Sequence, residues 1–117
     1  MIVVVQGTKN FDDYSVFLSG IRSALLNRDE NDKEFTVFTA GPLNVNNMAM
    51  EFVNVTERSL KAKGIKTKLV KIPPKWISEN HGDIDFFGYF CKSKEPLTEL
   101  VTDMNNKDVN VQVYRQY

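Results

Sequence analysis

Cysteine is nearly absent: Cys91 stands alone among 117 residues, so no intrachain disulfide can form. Histidine is equally scarce. His81, the only one, lies in the polar stretch Ser78-Glu79-Asn80-His81-Gly82-Asp83. No Cys/His cluster has the spacing of a zinc site, and no metal or cofactor is expected. His81 reads either as a general base or as a solvated loop residue. An excess of charge is also missing. Fifteen basic residues balance fifteen acidic ones, which argues against broad binding to a phosphate backbone, so nucleic acid is not an expected partner. The series Lys61, Lys63, Lys66, Lys68, Lys71 and Lys75 is one local basic patch. Its other reading is a helix end followed by an edge strand kept soluble by lysine. Long apolar runs are lacking too. Met1 to Val5 is too short for a signal peptide or a membrane span, so no membrane and a cytoplasmic location are expected.

What the chain does hold is enough for one core. With 42% hydrophobic and 11% aromatic residues, residues 1–117 read as a single domain. Ile2 to Val5 is a β-branched run suited to a strand buried on both faces. Asp12 or Asp13 can cap a helix over about Tyr14 to Asn27, where Val16, Phe17, Ile21, Ala24 and Leu25 keep helical spacing. Phe35 to Thr39 predicts a second strand, and Asn46 to Lys63 a helix stopped by Gly64. Ile65 to Ile72 alternates as a third strand and ends at Pro73-Pro74. Lys75 to Tyr89 reads as a long loop or short helix. A last helix is expected to start within Phe87 to Pro96 and run to Met104, with Pro96 in its first turn. Val109 to Tyr114 is a fourth strand. The crowded Phe86, Phe87, Tyr89 and Phe90 are either core or an oligomer interface.

This order predicts an α/β fold: a small Rossmann-like three-layer domain with a mainly parallel sheet of about four strands. Ligands of such sheets sit outside the carboxyl ends of the strands. That rule points to Gln6–Asp13, Ala40–Asn47 and Pro73–Asp83.

The first of these loops carries Gly7, Thr8, Lys9 and Asn10: a permissive backbone, a hydroxyl, a positive charge and an amide ahead of a helix. It is neither a P-loop nor GxGxxG. In the second loop, Asn44 tolerates a left-handed backbone and Asn46 or Asn47 can cap the following helix. Gly41 and these asparagines either line a ligand site or only turn and cap. Trp76 either stacks on a nucleobase or anchors its loop to the core.

Taken together, these motifs make the chain resemble a small member of the SLOG superfamily, the Rossmann-like group of the LOG-type phosphoribohydrolases and the YspA-like proteins. Members commonly begin with a strand, then Gly-Ser/Thr-Arg, an aromatic and acidic residues. Here the stretch reads Gly7-Thr8-Lys9-Asn10-Phe11-Asp12-Asp13, with lysine in place of arginine. Their second loop commonly reads Ser-Gly-Gly-Ala-x-Gly-Ala-Asp-x-x-Ala. Thr39 to Ala49 matches it, with Gly41 and Ala49 retained, Asn44 replacing a glycine and Asn46 the aspartate. The Pro-x-x-Trp of YspA-like members is Pro73-Pro74-Lys75-Trp76. A later Ala-Gly-x-x-Arg-Asn motif is reduced to Phe87-Gly88-Tyr89-Phe90-Cys91-Lys92, and the PGGxGTxxE motif of the LOG-type hydrolases is absent. The resemblance covers about residues 1 to 76.

It implies a nucleotide-like, phosphate-bearing ligand (ADP-ribose-like or a nucleoside phosphate) held by Gly7, Thr8, Lys9, Asn10, Gly41, Asn44, Asn46 and Trp76, in a sensor or sequestering protein. Two alternatives stand beside it. One is a hydrolase cleaving an N-glycosidic bond, for which Glu51, Asp12 and Asp13 are the nearby carboxylates and no complete catalytic constellation is present. The other is a protein-interaction module that kept the fold and lost the ligand, with a homo-oligomer or a host protein as partner. The Asn- and Lys-rich composition suits a phage accessory protein.

Overall fold

The computed structural model describes residues 1–117 as five strands and four α-helices around one sheet. The strands are β1 (Ile2–Gly7), β2 (Glu34–Thr39), β3 (Lys66–Lys71), β4 (Phe86–Lys92) and β5 (Val111–Gln116). The helices are α1 (Tyr14–Leu26), α2 (Leu43–Ala62), α3 (Pro74–Glu79) and α4 (Glu99–Asn106), with a 3₁₀ turn at His81–Asp83. The sheet order is β3-β2-β1-β4-β5 and every pairing is parallel. The expected α/β, Rossmann-like architecture is therefore present, with five strands rather than about four.

The added strand is β4. Its residues Phe86 to Cys91 are all buried, because β4 sits between β1 and β5 with a helical layer on each face. A strand covered on both sides needs no polar alternation. For that reason Phe86-Phe87-Gly88-Tyr89-Phe90-Cys91 does not announce itself by period, and the expected loop and helix start fall there instead. Its four aromatics are core residues: Phe86 and Phe90 join the cluster under α1 and α2, and Phe87 and Tyr89 the cluster under α3 and α4.

Three other boundaries move for local reasons. α2 begins at Leu43, directly after Pro42, so Asn44 and Asn46 lie in its first turn. α4 begins at Glu99 after an N-cap at Thr98, so Pro96 lies ahead of the helix. β5 runs from Val111 rather than Val109, which packs in the core as the chain turns in. β3 is an edge strand and exposes Lys66, Lys68 and Lys71. No helix is long and apolar enough to cross a membrane.

The chain order and the strand order together create one switch point. β1 is followed outward by β2 and β3, and the chain then crosses back to place β4 and β5 on the other side of β1. The loops leaving β1 and β4 diverge there, which opens the crevice where ligands of such sheets bind.

Candidate functional site

Gly7 ends β1 at this crevice, and its glycine is fixed by a neighbouring strand. A Cβ at Gly7 would lie 2.2 Å from the Phe90 carbonyl oxygen of β4. Thr8 then continues the contact, its N–H donating to that same carbonyl at 2.9 Å. The first loop is thereby docked on β4 before any ligand is considered.

On the β4 side, Lys92 leads into the segment Ser93–Thr98. Arg115, from the end of β5, holds that segment down. Its Nη1 donates to the carbonyls of Lys92 (3.1 Å), Ser93 (3.1 Å) and Glu95 (2.9 Å). This clamp points the Glu95 carboxylate back across the crevice. Thr8 Oγ1 donates to Glu95 Oε1 at 2.6 Å, Asn10 Nδ2 to Oε2 at 3.4 Å, and the Lys92 N–H to Oε1 at 2.7 Å. One anion thus receives a hydroxyl, an amide and a backbone N–H from three points around the switch. The Thr8 hydroxyl, then the Lys92 N–H, hold the Glu95 carboxyl below the usual carboxylate range. Glu95 and Arg115 escape sequence reasoning because both depend on β4 being a strand. With β4 assigned, a glutamate just past its carboxyl end is the signal that finds the pair.

The remaining residues anticipated from sequence divide into three groups. Thr8 and Asn10 are brought together on Glu95. Lys9 stands between them, exposed, and enters neither of the chain's two ion pairs, Met1–Asp32 and Lys107–Asp103. Gly41, Asn44 and Asn46 build the wall next to the first loop. Asn44 Nδ2 donates to the carbonyls of Thr8 (3.2 Å) and Phe11, which ties the start of α2 to the first loop. Asn46 Oδ1 accepts from Gly41 N–H at 2.9 Å and from the Thr39 hydroxyl, which closes the β2–α2 turn. Gly41 itself has φ +89°, a backbone that favours glycine. Trp76 is not part of this cluster. It lies on α3, on the opposite face of the sheet, edge-on to Phe38 with ring centroids 4.6 Å apart.

The carboxylates considered for hydrolysis are engaged elsewhere or stand apart. Asp13 caps α1 by accepting from Val16 N–H at 3.2 Å, which also takes up a donor at that helix start. Asp12 is hydrogen-bonded to the side chain of Gln116. Glu51 is exposed on α2. His81 lies beyond α3, which has carried the chain back toward the amino ends of the strands. Its Nδ1 is 3.2 Å from the Ser78 carbonyl, and nearby Asp85 accepts from the N–H of Ile2 at the start of β1. Of the Pro73–Asp83 segment, only its beginning stays near the crevice end. Cys91 is buried, and burial pushes its thiol up.

No group of three or more His, Cys, Asp and Glu side chains is placed to hold a metal ion. Two cavities, of about 440 and 260 Å³, lie away from the crevice, beside the start of β3 and between α4 and β5. The chain matches no protein-family model, no curated protein and no solved structure.

Proposed function

We propose that this chain binds a phosphate-bearing small molecule, of the nucleoside-phosphate or ADP-ribose type, at the β1–β4 crevice, as a sensor or sequestering protein. The observation that carries this reading is the Glu95 carboxylate held by Thr8, Asn10 and the Lys92 N–H. Those donors already form a seat for an anion. All three are neutral, and a phosphate oxygen accepts from them as a carboxylate does. Lys9, exposed in the same loop and in no ion pair of the chain, supplies the countercharge a phosphate needs. The ligand therefore competes with Glu95 for its own binding groups.

A thermal-shift screen with ADP-ribose, nucleoside monophosphates and inorganic phosphate tests the proposal. Ligand at one hundred times its dissociation constant adds about 2.7 kcal/mol of stability. Lys9→Ala should lose most of that response while melting like the wild type without ligand. An unchanged affinity in Lys9→Ala places the ligand elsewhere.

A second reading is favoured by the same carboxylate seen from the other side. Glu95 satisfies the seat internally, and Asn44 and Asn46 are engaged in holding loops. A fold in that condition can serve as a protein-interaction module without a ligand. Absence of any response to the nucleotide panel, in the wild type and in Glu95→Gln alike, favours this second reading.

A further inference from the structure

The two edges of the sheet are treated differently by the sequence. β3 carries Lys66, Lys68 and Lys71, which keep other strands away through charge and solvation. β5, Val-Gln-Val-Tyr-Arg-Gln, has no lysine and no proline. Its single charge, Arg115, is tied to three carbonyls of its own chain. Alongside this edge runs a cavity of about 260 Å³ between β5 and α4, lined by Leu97, Val101, Thr102, Asn105, Val111 and Val113. Leu97 is 42% exposed at its mouth.

The backbone of β5 also has a defined outward row. Phe87 N–H donates to the Asn110 carbonyl, and Ser93 N–H to the Gln116 carbonyl. In a parallel ladder of that register, Asn110, Gln112, Tyr114 and Gln116 turn their polar groups to β4. Val111, Val113 and Arg115 turn theirs outward, and their side chains share the α4 face. We propose that β5 pairs antiparallel with β5 of a second copy of this chain, joining two sheets into one of ten strands about a two-fold axis at Val113.

Three arguments select a second copy as the occupant. The first is register. An axis at Val113 sets Val113 against itself and Val111 against Arg115 of the partner, so all three outward residues of both strands exchange hydrogen bonds. The second is charge. Neither lysines nor two arginines meet across the axis, and α4 turns the uncharged Thr102 and Asn105 toward it, while Asp103 and Lys107 pair with each other further round the helix. Two β3 edges would instead bring six lysines together. The antiparallel arrangement also brings the Glu99 end of one α4 toward the Lys107 end of the other. The third is area. Six residues of strand span about 20 Å, and with the flanking helical layers the footprint is about 20 by 25 Å on each copy. The total of roughly 1,000 Å² is at the lower limit for a specific interface, which sets a reversible dimer. With β5 consumed and β3 guarded, association stops at two.

Sedimentation equilibrium of the full chain, from about 5 to 500 micromolar, should show monomer and dimer and nothing larger. Val113→Pro removes an outward N–H and no bond to β4, so it should weaken dimerisation at least about tenfold. Its far-ultraviolet spectrum should match the wild type. Val113→Cys keeps the test independent of how proline is tolerated. Residue 113 meets its own copy at a Cα separation of about 5.5 Å, within disulfide range. Under mild oxidant that variant should form disulfide dimers, and Gln112→Cys, which faces Tyr114 of the partner instead, should form far fewer. A wild type that stays monomeric at about 500 micromolar overturns the proposal. So does a dimer in which Val113→Cys cross-links no better than Gln112→Cys.

Discussion

At Glu95 three donors from two segments, the loop after β1 and the end of β4, converge on one carboxylate, so its charge and the integrity of the crevice are linked. Its carboxyl titrates lower in the fold than in the unfolded chain. The stability it contributes is therefore complete above the ordinary glutamate value of about 4.3, and is lost as pH falls through the lower folded value. Glu95→Gln should melt below the wild type at neutral pH, and the gap should close in acid. Differential scanning calorimetry across that range measures both. Gly7→Ala addresses a different contact: its methyl would strike the Phe90 carbonyl 2.2 Å away. Separating β1 from β4 should destabilise by about 2 kcal/mol or more in urea unfolding. At this scale the sequence was legible where chemistry is local. Gly7, Thr8 and Asn10 do sit at the crevice, and Asp13 does cap α1. It was not legible where a residue's partner lies far along the chain. Nothing near Asn44 in sequence says that its amide reaches the carbonyls of Thr8 and Phe11.

Among the elements, β4 carries the fold and was the hardest to read. The strands β1, β2 and β3 lie within two residues of their expected bounds, because β2 and β3 alternate and β1, though buried on both faces, is marked by its β-branched run. β4 meets water on neither face. Phe90 shows what its burial supports: its ring lies 5.4 Å from Phe11, 4.8 Å from Phe17 and 5.2 Å from Tyr114. Phe90→Ala should lose about 3–5 kcal/mol, measured by chemical denaturation. The start of α2 answers a smaller question. Asn44→Ala leaves two carbonyls of the first loop without this donor and should destabilise by about 1–2 kcal/mol. Faster amide exchange in Thr8–Phe11 should accompany it, with the strands unaffected.

For the whole molecule, the order β3-β2-β1-β4-β5 fixes which loops can cooperate. It sets the loop after β1 beside the segment after β4. Trp76 and His81 are held elsewhere, although in sequence both belong to a segment that follows a strand. The α/β class and the parallel arrangement followed from alternating elements, but the switch point needed the strand order, which requires the missing β4. The central claim is that the crevice is an anion seat kept by the chain's own carboxylate. The most direct test is calorimetric titration of ADP-ribose and a nucleoside monophosphate into the wild type and Glu95→Gln under the same buffer. The amide neither repels a phosphate nor holds the donors as firmly, so Glu95→Gln should bind at least about tenfold tighter, or about 1.4 kcal/mol. Equal affinities, or no heat of binding with either protein at millimolar ligand, would contradict it.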